Sequence, residues 1–534
     1  MYEYSFAGLS STLDVRIVYL DIMRPFAESA LLRNRSAMNS QWIYDSPIQS
    51  DVEAKLRKLL ADLGNEKILG LQVCAYKDGK VIIDTVVGVL GKYDPRPVQP
   101  DTLFPVFSVT KGITAGMVHW LVDKGKLKLD ETISNIWQEF SGNQKDLIKV
   151  HHVLNHSSGL HNAMSDVMRT NPLLMCDWEE SLRHIARSVP ETEPGSQQLY
   201  HYLSFGWLCG GVIEHASGKK FQDVLEEAII HPLNIEGELY IGIPPGVESR
   251  LATLTVDMED LKNMVEISGR PEMPSSLQQG NIVEIASGLT ILFNTLNIRR
   301  AIIPAANGHC SARALARYYA ALAKGGSIPP PHLPISKPVL GSHVHIPTLP
   351  SIKPQKKKWK MEIVNSDTQN KNTKDLKRDI GSSNFLHHKV SSSNNSPSIT
   401  NNKGYSLVAD NNGDGSEKNV DRIFSNPKIH DAFMGLGDYS DMVVPNGKFG
   451  LGFRKFNTST GHLTSFGHSG VGGSTGLCDI EHNFSIAVTV NKLSLGGVTR
   501  SIIQLVCSEL NIPLPEEFSI SGEKGPDMQL SLGQ

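Results

Sequence analysis

The chain has 534 residues, of which 40% are hydrophobic, 7% are aromatic and 20% are charged; this composition is typical of globular proteins and excludes a wholly disordered chain. Its 52 basic and 55 acidic residues give a formal net charge of −3, so there is no whole-protein basic field of the kind that binds nucleic acid. No segment approaches about 18 consecutive apolar residues, and we therefore predict no membrane span.

The first predicted elements are an N-terminal extension and a helix followed by a hairpin. Residues 1–50 lack a pattern that would build a core of their own. Residues 52–63 carry apolar side chains at helical spacing. Two β-rich runs follow at 71–76 and 81–87, and the Asp-Gly dipeptide between them is typical of a hairpin turn.

Helical patterns dominate the middle of the chain. Apolar periodicity predicts helices over residues 108–124, 203–215, 221–230 and 311–324. Glycine directly follows the first and the last of these runs, as it does at many helix C-termini. The segment from about residue 130 to 307 is therefore predicted to form a mostly helical subdomain.

Residues 328–419 differ in composition from the rest of the chain. They include three consecutive prolines, the basic stretch KKKWK at 356–360 and clusters of Ser and Asn. Few apolar residues recur with any period, so this segment is predicted to be a disordered insertion. We interpret the basic stretch as part of a solvated tether, with an anionic partner as the alternative. Residues 514–534 are predicted to form a loose tail.

Strand patterns return after the insertion. Residues 462–466 and 484–491 are predicted strands, and residues 498–510 are a predicted amphipathic helix. Strands thus stand at both ends of a core made of residues 51–327 and 420–513, with helices between them. This order predicts an α/β fold in which one antiparallel sheet is flanked by helices.

Ser108 and Lys111 form the pattern Ser-x-x-Lys at a predicted helix N-terminus. Residues three apart share a helix face, and the N-terminus favours negative charge. A buried lysine that loses its proton can activate a serine hydroxyl, so the two residues form a candidate nucleophile–base pair. The same pattern begins at Ser217, Ser425 and Ser521, but only Ser108 opens a long apolar helix.

Four segments in chain order carry a resemblance to a known family. They are FSVTK at 107–111, VLNHSSGL at 153–160, YHYLSFG at 200–206 and GHSG at 467–470. They resemble motifs of serine β-lactamases and penicillin-binding proteins, and more specifically of the class C β-lactamase-related family, which includes esterases and D-aminopeptidases. The resemblance implies that family's fold, with a catalytic cleft between the sheet and the helical subdomain.

The resemblance also implies catalytic roles. Ser108 would be the acylated nucleophile and Lys111 would help to deprotonate it. Tyr200 would be the partner base and later the acid that protonates the leaving group. His468, in place of the third motif's Lys or His, would orient this network or bind a substrate carboxylate.

An oxyanion hole and one departure from the family pattern complete the expected site. The backbone N–H groups of Ser108 and Val471 would form the oxyanion hole, and Gly470 would allow close substrate approach. Tyr202 replaces the family's Asn, whose amide contacts the acylamide of lactams, and a tyrosine cannot reproduce both amide functions. We therefore expect hydrolysis of small esters or peptide-like amides. The alternative is a catalytically silent binding or scaffold domain.

The match is closest to the β-lactamase-like domain that plants fuse behind aarF-type atypical kinases. No kinase motif precedes Asp51, so no kinase activity is expected. Six widely spaced cysteines without CxxC pairs indicate a reduced compartment, and the resemblance suggests the cytoplasm or a plastid. The four histidines between residues 151 and 161 lack an HExxH pattern or carboxylates at ligand spacing, and we expect no metal or organic cofactor.

Overall fold

The computed structural model describes residues 42–261, 288–330 and 422–519. The strands of these ranges are β1 Gly70–Lys77, β2 Lys80–Gly91, β3 Asp94–Pro97, β4 Phe104–Pro105, β5 Leu239–Ile241, β6 Thr255–Val256, β7 Gly308–Cys310, β8 Arg454–Asn457, β9 Leu463–Ser469, β10 Thr475–Asp479, β11 Phe484–Val490 and β12 Lys492–Leu493.

The helices of the same ranges are α1 Asp51–Lys67, α2 Val109–Asp123, α3 Ile133–Ile136, α4 Val150–Leu154, α5 Ser165–Thr170, α6 Trp178–Arg187, α7 Ser204–Ser217, α8 Phe221–Leu225, α9 His231–Leu233, α10 Leu296–Arg300, α11 Ala312–Ala323, α12 Ile429–Met434 and α13 Gly497–Leu510. The single helix predicted over residues 221–230 is α helical only in its first half, because a π-helical turn, Glu226–Ile230, follows α8.

The main sheet has seven strands within the described ranges, in the order β3-β2-β1-β11-β10-β9-β8. Its pairings are antiparallel, and the central one joins β1 to β11 with Leu71 opposite Val490. The two ends of the folded core therefore form one sheet, as predicted. The hairpin between β1 and β2 turns at Asp78 and Gly79, whose φ angles are 53° and 77°, which fits the predicted Asp-Gly turn.

Different helices cover the two faces of this sheet. α1 and α13 bury leucine and isoleucine side chains against one face. α11 lies on the other, and every residue of α11 is buried. A Cβ at Gly476 of β10 would lie 2.4 Å from the ring of Tyr319, so this glycine allows α11 to approach the sheet. Tyr318 donates its hydroxyl proton to the carbonyl of Gly112 at 2.8 Å, so α11 also contacts α2, which itself packs on β9.

The helical subdomain packs on the other side of α2 through α7. Gly210 and Gly211 of α7 allow two tryptophans to approach, since a Cβ at these positions would lie 2.4 Å from Trp178 and 2.3 Å from Trp137. A small antiparallel sheet, in the order β4-β7-β5, leads from the subdomain to the start of α2. α2 thus contacts α7, β9 and α11, and the N–H of Gly308 in the small sheet donates to Thr110 Oγ1 in its first turn.

The predicted insertion, residues 328–419, lies outside the described residues except for its first three positions. Its flanks are neighbours, because Ser327 and Arg422 form an antiparallel bridge and the N–H of Ile423 donates to the carbonyl of Gly326 at 2.8 Å. The inserted segment therefore leaves and rejoins the fold at one place, after α11.

The described ends of the predicted extension and tail pack on the core, because Ile43 bridges Val87 and Thr458 bridges Pro515. The prediction of a loose tail is therefore wrong for residues 514–519, where Phe518 is fully buried. Residues 1–41 and 520–534 lie outside the described ranges, and for them the predictions stay untested.

Glu238 is a buried carboxyl group next to β5. Burial raises its pKa from 4.5 to about 7, although Ser311 Oγ donates a 2.6 Å hydrogen bond to it and Arg313 and Arg250 lie nearby. The folded chain therefore binds this proton more tightly than the unfolded chain does. By linkage, the contribution of Glu238 to the free energy of unfolding falls as the pH rises from about 4.5 to about 7.

Glu238→Gln removes this titration while keeping an oxygen that accepts from Ser311. We expect the variant to gain about 1–3 kcal/mol in the free energy of unfolding at about pH 8, with little change at about pH 4. Urea unfolding at the two pH values measures the difference, with the exposed Glu236→Gln as the control. A variant less stable than the parent at the higher pH contradicts the assignment.

Candidate active site

Ser108 stands before α2 on a strained turn. The preceding residue, Phe107, has a φ of 46°, which is uncommon for a bulky side chain. A bridge to Asn307 and a 2.5 Å hydrogen bond from Thr110 Oγ1 to the Phe107 carbonyl hold this conformation. Ser108 is partly exposed, whereas Phe107 and Val109 on either side of it are buried. The turn therefore exposes the hydroxyl group of Ser108 between two buried residues.

Lys111, one turn into α2, is fully buried and its amine reaches the Ser108 hydroxyl. Lys111 Nζ lies 3.2 Å from Ser108 Oγ. It also donates to the backbone carbonyls of Tyr202 at 2.7 Å and Ala305 at 3.0 Å. The structure thus brings the two ends of the Ser-x-x-Lys pattern into hydrogen-bond contact. The carbonyls of two other segments fix the direction of the amine.

Tyr200 and Tyr202 form an aromatic wall next to this pair. Lys111 Nζ is 4.8 Å from the ring centroid of Tyr200. The Tyr200 ring meets that of Tyr202 edge to face at 5.0 Å and stacks on Phe449 at 5.4 Å. The side chain of Tyr202 is 47% exposed. Tyr202 therefore gives Lys111 a backbone acceptor and presents an aromatic ring to the surface beside Tyr200.

His468 is buried at the end of β9. The edge strand β8 pairs with β9 only as far as Gly467, so His468 has its strand neighbour on the β10 side. Its ring centroid lies 5.7 Å from that of Phe449. Burial, with Lys111 and Arg454 nearby, lowers the pKa of His468 well below its usual value, so the ring is neutral. A neutral imidazole fits an orienting role better than the binding of a carboxylate.

The turn after β9 approaches the backbone next to the candidate nucleophile. A Cβ at Gly470 would lie 2.2 Å from the carbonyl oxygen of Val106, so only glycine allows this approach. Val471 follows and is exposed. Within the described ranges, the backbone N–H groups of Ser108 and Val471 donate to no protein acceptor. Both groups are therefore available to a substrate oxygen.

The residues around the Ala305 carbonyl, which binds Lys111, were not predicted from the sequence. The Pro304 carbonyl accepts a 2.7 Å bond from Thr114 Oγ1 of α2, next to the Ala305 carbonyl that binds Lys111. The buried Asn307 ties this segment to the end of α10 through bonds from its Nδ2 to nearby carbonyls. These contacts use backbone oxygens, which leave no pattern of residue types in a sequence.

The other Ser-x-x-Lys matches do not form comparable pairs. Ser217 ends α7 and donates back into that helix, while Lys220 lies in exposed ion pairs. Ser425 is exposed, and Lys428 pairs with an exposed aspartate on the surface. Ser521 lies outside the described residues. Ser108 thus differs from Ser217 and Ser425 because it alone of the three stands at the start of a buried helix.

The described residues hold neither a cluster of metal-ligating side chains nor a membrane-spanning helix. In residues 42–261, 288–330 and 422–519, no group of three or more His, Cys, Asp or Glu side chains is placed to hold a metal ion. Of the clustered histidines, His151 Nδ1 lies 2.9 Å from the Met442 carbonyl and His161 faces Glu191 at 3.5 Å. None of the helices in these ranges is long and apolar enough to span a membrane.

This arrangement defines the class of protein: the chain has the β-lactamase/transpeptidase-like fold, which confirms the predicted fold class. Solved structures with this fold include a penicillin-binding protein homologue from Caulobacter crescentus, with a TM-score of 0.55, 23% identity and coverage of 87% of this chain and 98% of that one. A family VIII carboxylesterase superposes with a TM-score of 0.55 at 21% identity, covering 85% of this chain and 94% of that one.

The chain belongs to the beta-lactamase family, because the model of that family matches residues 52–343, more than half of its length. It is 29% identical over 261 residues to the esterase/beta-lactamase LipL of Mycobacterium tuberculosis, covering 48% of this chain and 59% of that protein. It is 29% identical over 197 residues to the esterase EstB of Burkholderia gladioli, covering 34% and 50%. The chain thus spans about half to three-fifths of the length of these relatives.

Proposed function

We propose that the protein is a serine hydrolase that forms an acyl-enzyme on Ser108. The observation that carries the proposal is the 3.2 Å contact between Lys111 Nζ and Ser108 Oγ, made by a fully buried lysine beneath a partly exposed hydroxyl. A nucleophile and a base within hydrogen-bond reach, with the base oriented by further partners, is the arrangement that covalent catalysis requires. The carbonyls of Tyr202 and Ala305 supply that orientation.

The reaction has two steps. Ser108 Oγ attacks the substrate carbonyl carbon while its proton passes to the pair formed by Lys111 and Tyr200, and the carbonyl oxygen becomes an oxyanion. The N–H groups of Ser108 and Val471 stabilise this oxyanion. The tetrahedral intermediate then expels the alcohol or amine, which receives the proton. A water molecule, deprotonated by the same pair, finally attacks the ester on Ser108 and releases the acid.

Small esters and peptide-like amides are the proposed substrates. The exposed aromatic side chain of Tyr202 and the exposed Val471 give the cleft apolar contact surfaces. The neutral His468 provides no fixed positive charge for a substrate carboxylate. These features favour uncharged acyl groups, and the names of LipL and EstB, which include the word esterase, agree with this class.

A catalytically silent scaffold is the second candidate, and one observation favours it. Two of the acceptors of Lys111 Nζ are backbone carbonyls of separate segments, which is also the pattern of a structural lysine that ties loops together. The two functions differ in their chemistry, because a structural lysine needs no reactive serine beside it.

Hydrolysis by the purified full chain tests the proposal. We expect release of p-nitrophenol from p-nitrophenyl butyrate, with a pre-steady-state burst if deacylation is slow, and weaker or no hydrolysis of a chromogenic cephalosporin. An alkyl fluorophosphonate should label one serine, identified by peptide mass spectrometry as Ser108. A folded chain that hydrolyses neither substrate and takes no label overturns the proposal and leaves the scaffold.

The relation to plant domains behind aarF-type kinases stays a prediction, as does a location in the cytoplasm or a plastid.

A further inference from the structure

The backbone around Tyr200 is held on both sides by one residue, His156. The N–H of Leu199, just before Tyr200, donates to the His156 carbonyl at 2.9 Å. The N–H of His201, just after Tyr200, donates to His156 Nδ1 at 3.2 Å. The main chain and the side chain of a single histidine therefore clamp the segment that carries Tyr200.

The ring of His156 also packs on the ring of Tyr200. Their centroids are 4.7 Å apart, and the His156 ring meets Phe449 edge to face at 4.5 Å. Phe449 in turn stacks on Tyr200 at 5.4 Å. Because the three rings contact one another in pairs, the phenol ring has two supports, and one of them is the residue that binds the flanking backbone.

Both the backbone conformation and the burial of His156 are energetically unfavourable. Its φ of 62° lies in the left-handed region, which only a few per cent of residues other than glycine adopt, histidine among the more frequent of them. It is fully buried, and its Nε2 has no hydrogen-bond partner within the described ranges. Strained backbone and an unpaired buried polar atom are features that cluster at functional sites.

The imidazole is not itself a candidate acid or base. Burial, with His201, Lys111 and His468 nearby, lowers the pKa of His156 well below its usual value. Because Nδ1 accepts from the His201 N–H, the single ring proton is assigned to Nε2. The ring is thus a neutral acceptor for the His201 N–H, while the carbonyl of the same residue accepts from the Leu199 N–H.

We propose that His156 is a positioning residue for the hydrolase reaction, which acts by holding Tyr200 beside Lys111 and Ser108. This inference rests on the proposed function, since it assigns His156 a role through Tyr200. A residue of this kind affects the chemical step through the group that it holds, and it loses its effect when that group is removed.

The test combines two substitutions of His156 with a change at Tyr200. His156→Leu removes the ring acceptor, whereas His156→Asn keeps an acceptor and tolerates the left-handed conformation. We expect His156→Leu to lower kcat by about 10–100-fold with KM changed by less than about 3-fold, and His156→Asn to recover at least about a third of the kcat of the parent. In a Tyr200→Phe background, His156→Leu should change kcat by less than about 3-fold.

His184→Leu is the matched control, because His184 is a partly buried histidine of α6 that binds a backbone carbonyl at 2.8 Å elsewhere; it should leave kcat unchanged. If the parent hydrolyses no ester, the proposed function fails. If the parent is active and both His156 variants match it, or if the losses from His156→Leu and Tyr200→Phe multiply, the inference is overturned. His156→Asn provides a folded variant for this decision if His156→Leu unfolds.

Discussion

Ser108→Ala is expected to lower kcat/KM for ester hydrolysis by at least about 10³-fold, because no other group can form the acyl bond. The substitution removes one oxygen, which lies in hydrogen-bond contact with Lys111 Nζ. Ser108 makes no side-chain cap of α2, and its side chain is partly exposed. The temperature of unfolding should therefore change little, so a loss of activity reports chemistry and not folding.

Ser217→Ala is the matched control for this experiment. Ser217 begins the same Ser-x-x-Lys pattern, but it lies at the end of α7 and bonds to its own helix. Steady-state hydrolysis and fluorophosphonate labelling of the parent and both variants give the comparison. We expect Ser217→Ala to behave as the parent does. Equal residual activity of Ser108→Ala and the parent would contradict the acyl-enzyme assignment.

Most of the fold was predictable because its elements have strong local patterns. The β-rich runs of β1 and β2, the Asp-Gly turn between them and the periodicity of α2 and α11 each constrain the backbone within a few residues. The placement of strands at both ends of the core predicted one shared sheet, whereas the pairing of β1 with β11 was not predicted. The break between α8 and the π-helical turn had no such pattern, because both halves share one amphipathic face.

The candidate site was predictable in its residues and less so in its contacts. Side chains with distinctive chemistry, such as Ser108 and Lys111, stand out in a sequence. The acceptors that orient Lys111 are the main-chain carbonyls of Tyr202 and Ala305, which lie 91 and 194 positions further along the chain. The strained φ of Phe107 is likewise held in part by a bridge to Asn307, which is distant in the sequence. Only the folded chain brings these groups together.

The largest loss beyond Ser108 is expected for Lys111→Met, which keeps an unbranched apolar side chain and removes the amine. Loss of the proton carrier should lower kcat by about 10²–10⁴-fold. The carbonyls of Tyr202 and Ala305 also lose their donor, which should reduce the free energy of unfolding by about 1–3 kcal/mol. Burst kinetics with p-nitrophenyl butyrate and urea unfolding measure the two effects on one protein preparation.

Lys145→Met separates the two effects. Lys145 is also fully buried, donates to the Ser188 carbonyl at 3.0 Å and lies 5.1 Å from the ring centroid of Phe140, outside the candidate site. Its replacement should lower stability and leave kcat unchanged.

Because Lys111 and Ser108 act as a unit, the double variant Ser108→Ala with Lys111→Met should be no less active than Ser108→Ala alone. A Lys111→Met chain that loses stability but keeps the parent kcat would make Lys111 a structural lysine, and the proton of Ser108 would then have to pass to Tyr200.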